Sequence, residues 1–205
     1  MSQTTLCISL IPFVFLINYF FLKKKILLKY SGNIHQNFIG KDQVPLTGGI
    51  IIFIFLFTQF FDNFNLLLLI ILFFFILGIL ADYNYPKKPI TRFFLQVALI
   101  LILVINFDLF VSSISIDFFD NLLKIKEFNY FFLIFCFIVL INGSNFIDGN
   151  NTLSLGYFIL IYFSIIHNQF LLPEELSYEF INSFVLVLII LFFFNLSKRL
   201  YLGDN

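Results

Sequence analysis

The chain has 205 residues, 60% hydrophobic and 12% charged, with twelve basic against twelve acidic side chains and a mean hydropathy of +1.01. A soluble domain carries about 25% charged residues, and too few polar side chains remain here to cover a water-facing surface around so much apolar material. That excludes a soluble globular protein and leaves an integral membrane protein.

Runs such as LLLLIILFFFILGIL are apolar on every side, whereas the strands of a membrane barrel alternate. The expected fold class is therefore all-α, a polytopic membrane helix bundle. A spanning helix takes roughly 17–25 apolar residues. In chain order the segments that qualify, some of them short, are Thr4–Leu22, Leu46–Phe61, Phe64–Leu80, Phe93–Phe110, Tyr130–Ile147, Leu153–His167 and Phe180–Leu196. The first is not a cleavable signal, because MSQTT carries no charge and KKK follows the apolar stretch. Only short polar connectors separate the seven, so residues 1–205 read as a single transmembrane domain. Cys7 and Cys136 lie inside apolar runs and read as small hydrophobes.

Seven helices give two sets of loops. One set, Lys23–Gln43, Ala81–Arg92, Asp148–Thr152 and Ser197–Asn205, holds ten of the twelve basic residues, and the other holds Lys124 and Lys126. The positive-inside rule makes the first set cytoplasmic and puts the N-terminus outside. Most acidic residues sort to the outer set. Asp42, Asp82, Asp148 and Asp204 stay on the basic face, three of them at or near the ends of the third, fifth and seventh helices.

Carboxylates beside Lys and Arg at a membrane surface suit a phosphorylated substrate. Aspartate oxygens hold Mg²⁺, which keeps waters and bridges phosphates, while basic side chains neutralise the remaining charge. Phosphoryl transfer is carried by positioning and charge stabilisation rather than covalent chemistry. The stretch NGSNFIDGNN, residues 142–151, places Asn142, Asn145 and Asp148 at i, i+3 and i+6, close to one helical face. On this physics alone a phosphate or metal site and structural polar packing between helices weigh evenly.

Four segments resemble, in order, the polyprenyl-phosphate N-acetylhexosamine-1-phosphate transferases of the glycosyltransferase family 4 type, which include the phospho-MurNAc-pentapeptide translocases. VPLTGGI, Val44–Ile50, resembles the P-x-x-G-G-I entry to the second helix. GILADYNYPKKPITRFFLQ, Gly78–Gln96, resembles the stretch from an Asp-Asp pair to a Gln. NGSNFIDGNN resembles N-x-x-N-x-x-D-G-x-[DN], and FNLSKRLYLGD, Phe194–Asp204, the segment ending in a Gly-Asp metal motif. The resemblance implies transfer of N-acetylhexosamine-1-phosphate from a UDP-sugar to undecaprenyl or another polyprenyl phosphate. UMP is released and Mg²⁺ is the cofactor. The setting implied is the cytoplasmic face of the bacterial inner membrane, with membrane lipid and these two substrates as partners and no nucleic acid.

Carried over by position, Asp204 is the metal ligand, and Asp82 and Asp148 are the catalytic carboxylates. Asn142, Asn145 and Asn151 contact the nucleotide sugar, Lys41 helps hold the diphosphate, and Gly48 and Gly49 belong to the substrate-binding set by allowing close helix packing or backbone approach. The sequence departs from the pattern at Ala81, where the first Asp of the pair is expected, and at Thr152, where a glycine is usual. The family continues with further helices and a His-rich loop beyond the equivalent of Asn205. The expectation is thus the N-terminal part of the transferase fold, with a non-catalytic truncated remnant as the alternative. A small transporter or channel subunit fits less well, because the polar residues gather at one face and the helix centres are almost bare.

Overall fold

The computed structural model of the chain describes residues 3–30, 43–60, 66–147, 152–167 and 178–203. These form helices α1 (Gln3–Lys24), α2 (Gly48–Phe60), α3 (Leu66–Asp82), α4 (Pro89–Asn106), α5 (Asp117–Leu123), α6 (Lys126–Ile147), α7 (Leu153–His167) and α8 (Tyr178–Leu196). Two short strands, β1 (Leu28–Tyr30) and β2 (Gln43–Pro45), pair antiparallel. Helices α4, α6 and α8 are long and apolar enough to cross a membrane, and α2, α3 and α7 are shorter apolar helices. The architecture is that of a helical membrane bundle.

Each of the seven apolar segments contains a helix; Leu153–His167 has the expected bounds, and the other six are displaced at one or both ends. The fourth starts at Pro89 rather than Phe93. A proline at the first helical position gives up no hydrogen bond and has its φ already set for the helix. The fifth apolar helix starts at Lys126, with Glu127 in the first turn, where its charge favours the helix dipole. Helix α5 is not among the expected elements. It is too short and too polar to span, and its first turn carries Asp117 and Asp120.

Packing divides the chain into two compact units, Met1–Asp62 with Ile147–Asn205, and Asn63–Phe146. In the first, α8 is the central element and packs on α1, α2 and α7. Val14, Ile51, Phe55, Leu155, Phe184, Val187 and Leu191 form its core. Phe55 stacks on Phe184 at 5.8 Å and on Phe180 at 6.0 Å between ring centroids. Between lipid tails no hydrophobic force drives helices together, so this interdigitation and buried polar contacts carry the association.

In the second unit α3 packs on α4, and the segment between α4 and α6 is tied down by one side chain. Asn129, buried on α6, accepts from the Val111 amide at 2.9 Å and donates to the carbonyls of Val111 and Leu123, each at 2.8 Å. Asp120 accepts from Ser113 Oγ at 2.7 Å and from the Ile114 amide at 2.8 Å. These bonds hold its carboxyl below the usual aspartate range. Asp108 is lowered by the Tyr130 hydroxyl and then by Lys126, whose Nζ lies 3.1 Å away.

Candidate functional site

The segment leading to the Gly-Asp motif is anchored at every carbonyl from Arg199 to Leu202. Asn18 of α1 donates Nδ2 to the Arg199 carbonyl at 3.2 Å. Asn195 donates Nδ2 to the Leu200 carbonyl at 3.1 Å. The Gly48 amide donates to the Tyr201 carbonyl and the Gly49 amide to the Leu202 carbonyl, both at 3.0 Å. The Tyr201 amide completes the frame by donating to the Pro45 carbonyl at 3.0 Å. Gly203 follows with φ 82°, a left-handed conformation that glycine adopts without steric cost. The backbone is thus held by hydrogen bonds from Arg199 to Leu202.

The glycine pair of VPLTGGI has a defined role in this frame. A helix leaves its first amides without intrahelical partners. Here the carbonyls of Tyr201 and Leu202 fill two of those places at the start of α2, so these amides do not face an anion. The approach is close. A Cβ on Gly48 would stand 2.9 Å from Leu202 Cα and 3.1 Å from the Tyr201 carbonyl oxygen. The next residue back, Thr47, is fully buried and donates its hydroxyl to Asn18 Oδ1, which orients the amide that holds Arg199.

Asn195 joins this segment to Thr152, the residue before α7. Its Oδ1 accepts from the Thr152 amide at 2.8 Å while its Nδ2 holds Leu200, and the side chain is only 2% exposed. Thr152 stands at φ 66°, strained for a β-branched residue, and this explains the glycine usual there.

In the second unit, Asp82 ends α3 and is half-buried, with Asn84 at φ 58° turning the chain behind it. Gln96 is buried on α4. Asn142 and Asn145 lie on α6, as their spacing requires. Asn142 is exposed and spends its Nδ2 on the Ile138 carbonyl of its own helix at 2.9 Å, while Asn145 is half-buried. A Cβ added at Gly143, between them, would meet no atom within 4 Å, so no steric demand fixes that glycine.

Lys41, Asp148, Asn151 and Asp204 lie outside the described residues. No group of three or more His, Cys, Asp or Glu that could hold a metal ion occurs among the described residues. The donor expected for the ion, the Asp204 carboxylate, offers hard oxygen atoms, a chemistry that fits Mg²⁺. Three residues of the frame, Asn18, Thr47 and Asn195, escape the sequence reading. A lone amide in an apolar helix has the same appearance whether it packs or positions. The signals the sequence offers are a lone amide inside FLINYFF for Asn18, another at the end of FFFNL for Asn195, and the hydroxyl of VPLTGGI for Thr47.

Beside the frame, a hollow of about 270 Å³ is lined by Ile11, Phe15, Ile190, Phe193, Phe194 and Arg199, among others. A second, of about 320 Å³, shares Phe15, Phe194 and Arg199 and adds Lys198. Arg199 lies over the Phe15 ring, 5.7 Å from its centroid.

No curated protein and no solved structure matches the chain. The family model for glycosyl transferase family 4 matches residues 64–205, well over half of the sequence. The matched region takes in Asp82, the NGSNFIDGNN stretch and the anchored segment before Gly203. The chain therefore belongs to glycosyl transferase family 4, a family of membrane enzymes that transfer phospho-sugars.

Proposed function

We propose that this protein transfers N-acetylhexosamine-1-phosphate from a UDP-sugar to a polyprenyl phosphate at the cytoplasmic face of a bacterial inner membrane. An oxygen of the lipid phosphate bonds to the β-phosphorus of the donor. The bond from that phosphorus to its bridging oxygen breaks, and UMP leaves with the electron pair. The acceptor is ionised near neutral pH, so no strong base is needed to start the reaction.

The observation that carries this reading is the anchored backbone ahead of Gly203, whose carbonyls are engaged from Arg199 to Leu202, shortly before the proposed ligand Asp204. A metal ligand must be held within a fraction of an ångström, and a fixed main chain does this better than a free loop. Asp204 would hold Mg²⁺, Asp148 would act as a catalytic carboxylate on the nucleotide sugar, and the bound ion would supply neutralisation of the donor diphosphate. Asp82 would act on the acceptor phosphate. Asn142, Asn145 and Asn151 would bind the nucleotide sugar, with Lys41 on its diphosphate. The apolar hollow lined by Ile11, Phe193 and Phe194 also has Arg199 in its wall, a composition that suits a lipid chain bearing a phosphate.

Purified protein in detergent, given Mg²⁺, a labelled UDP-N-acetylhexosamine and undecaprenyl phosphate, should form a lipid-linked sugar phosphate and UMP. Asp204→Asn should abolish this. Turnover by Asp204→Asn at the wild-type rate would remove Asp204 from the metal site.

A further inference from the structure

We infer that Asn195 and the Asn18–Thr47 pair are positioning residues for the metal-binding end of the chain, acting through the main chain of Arg199–Gly203. This rests on the reading of Asp204 as a Mg²⁺ ligand and extends it to side chains that touch neither ion nor substrate. Three features of the geometry carry it.

The first is burial. Asn18 and Asn195 are 6% and 2% exposed, and Thr47 is wholly buried. A polar side chain taken out of solvent costs free energy unless its hydrogen bonds are met, so a lone amide persists there only where its bonds are made. The second is the division of labour. Each amide uses both ends: Asn18 accepts from Thr47 and donates to Arg199, and Asn195 accepts from Thr152 and donates to Leu200. Neither amide can rotate by half a turn without losing both bonds, so each fixes an orientation as well as a distance.

The third is adjacency. The two amides hold successive carbonyls, and the glycine amides of α2 hold the next two, so the frame has no gap before Gly203. Asn195 also fixes Thr152, four residues after Asp148. One buried side chain therefore bonds the main chain both at Thr152 and at Leu200. Groups that orient metal ligands in this way change metal affinity by about 10–100-fold when removed.

The test uses the full chain in detergent and reads Mn²⁺ affinity by electron paramagnetic resonance, with the binding that disappears in Asp204→Asn taken as the specific component. Mn²⁺ shares the oxygen preference of Mg²⁺. Asn195→Asp keeps the acceptor for Thr152 but turns the donor to Leu200 into an acceptor. Thr47→Val removes only the hydroxyl that orients Asn18 and keeps the shape. Both should weaken specific Mn²⁺ binding, Asn195→Asp by about 10-fold or more and Thr47→Val by less. Asn106→Ala should leave it unchanged, because that exposed amide bonds the Ile102 carbonyl of its own helix. If Asn195→Asp does not fold, Thr47→Val alone decides.

Variants that melt earlier yet bind Mn²⁺ at wild-type strength would show a merely structural role and overturn the inference. Wild-type protein without Asp204-dependent Mn²⁺ binding would overturn it as well. Weakened binding in the variants would support it even if the wild type transferred no sugar phosphate, in which case only the proposed reaction falls.

Discussion

Adding one methyl group at Gly48 should damage this protein more than the same change at Gly143. At Gly48 the new Cβ would meet Leu202 Cδ2 at 2.8 Å, Leu202 Cα at 2.9 Å and the Tyr201 carbonyl oxygen at 3.1 Å. The side-chain carbon could turn away, but the main-chain atoms are held by the bonds from the Gly48 and Gly49 amides. Overpacking of this kind costs about 1–3 kcal/mol. Moving the segment to relieve it would weaken two hydrogen bonds worth about 0.5–1.5 kcal/mol each. The expected loss is therefore about 2–6 kcal/mol, combining the two contributions. At Gly143 nothing lies within 4 Å, and alanine in a helix interior is favoured over glycine by up to about 1 kcal/mol. Thermal unfolding of the two variants in the same detergent, followed by far-ultraviolet circular dichroism, gives the comparison. Gly48→Ala should melt well below wild type, and Gly143→Ala at or slightly above it. Melting of Gly48→Ala with the wild type, or an equal loss of stability in both variants, would refute the steric role of Gly48.

Thr152→Gly should raise the melting temperature, since the left-handed backbone there costs a non-glycine residue about 1–2 kcal/mol; an unchanged or lower value would contradict the strain assigned to φ 66°. Asn129→Leu should loosen the segment from Val111 to Leu123, seen as faster amide exchange there and not in α8, because three hydrogen bonds end on that side chain. Acid should have a related local effect. The Asp120 carboxyl is depressed in the folded state, so its contribution is complete above the unfolded aspartate pKa of about 3.8 and is lost as pH falls through the lower folded value. Carboxyl titration by nuclear magnetic resonance should find Asp120 ionising below a free aspartate, and a value at or above that of the free residue would contradict the Ser113 and Ile114 bonds. Single cysteines at Lys198 and Lys124 should react with a membrane-impermeant thiol reagent from opposite sides, Lys124 from outside, and same-side labelling would overturn the topology read from the charges.

The helices are legible because the chain punctuates them plainly. Each apolar run is broken by charged or turn-forming residues, and Leu153–His167 is a helix with the bounds expected from sequence. The misplaced end at Pro89 comes from counting apolar residues alone, when the proline itself marks a helix start. Helix α5 escapes because seven residues cannot show a period against DFFDNLL, and Asn129, which holds the segment around it, is distant in sequence. Gly48 and Gly49 are expected to permit a close approach, and one occurs, but its partner at Tyr201–Leu202 is about 150 residues away along the chain. Local patterns report how a residue shapes its own turn or helix. They are silent on which carbonyl a buried amide will find, and Asn18 and Asn195 go unnoticed for that reason. The NGSNFIDGNN spacing does place Asn142 and Asn145 together on α6, yet Asn142 also bonds its own helix, a competition that spacing does not reveal.

The central claim concerns which bond of the donor breaks, and the fate of one phosphorus atom tests it most directly. With a UDP-N-acetylhexosamine radiolabelled at the β-phosphate, plus Mg²⁺ and a polyprenyl phosphate, a sugar-1-phosphate transferase carries the label into the organic-extractable lipid and leaves unlabelled UMP in the water. That outcome is the one expected of this protein, together with its loss in Asp204→Asn. Sugar on the lipid with the label retained in aqueous UDP would contradict the claim, as would wild-type protein that forms no lipid-linked product from any UDP-N-acetylhexosamine.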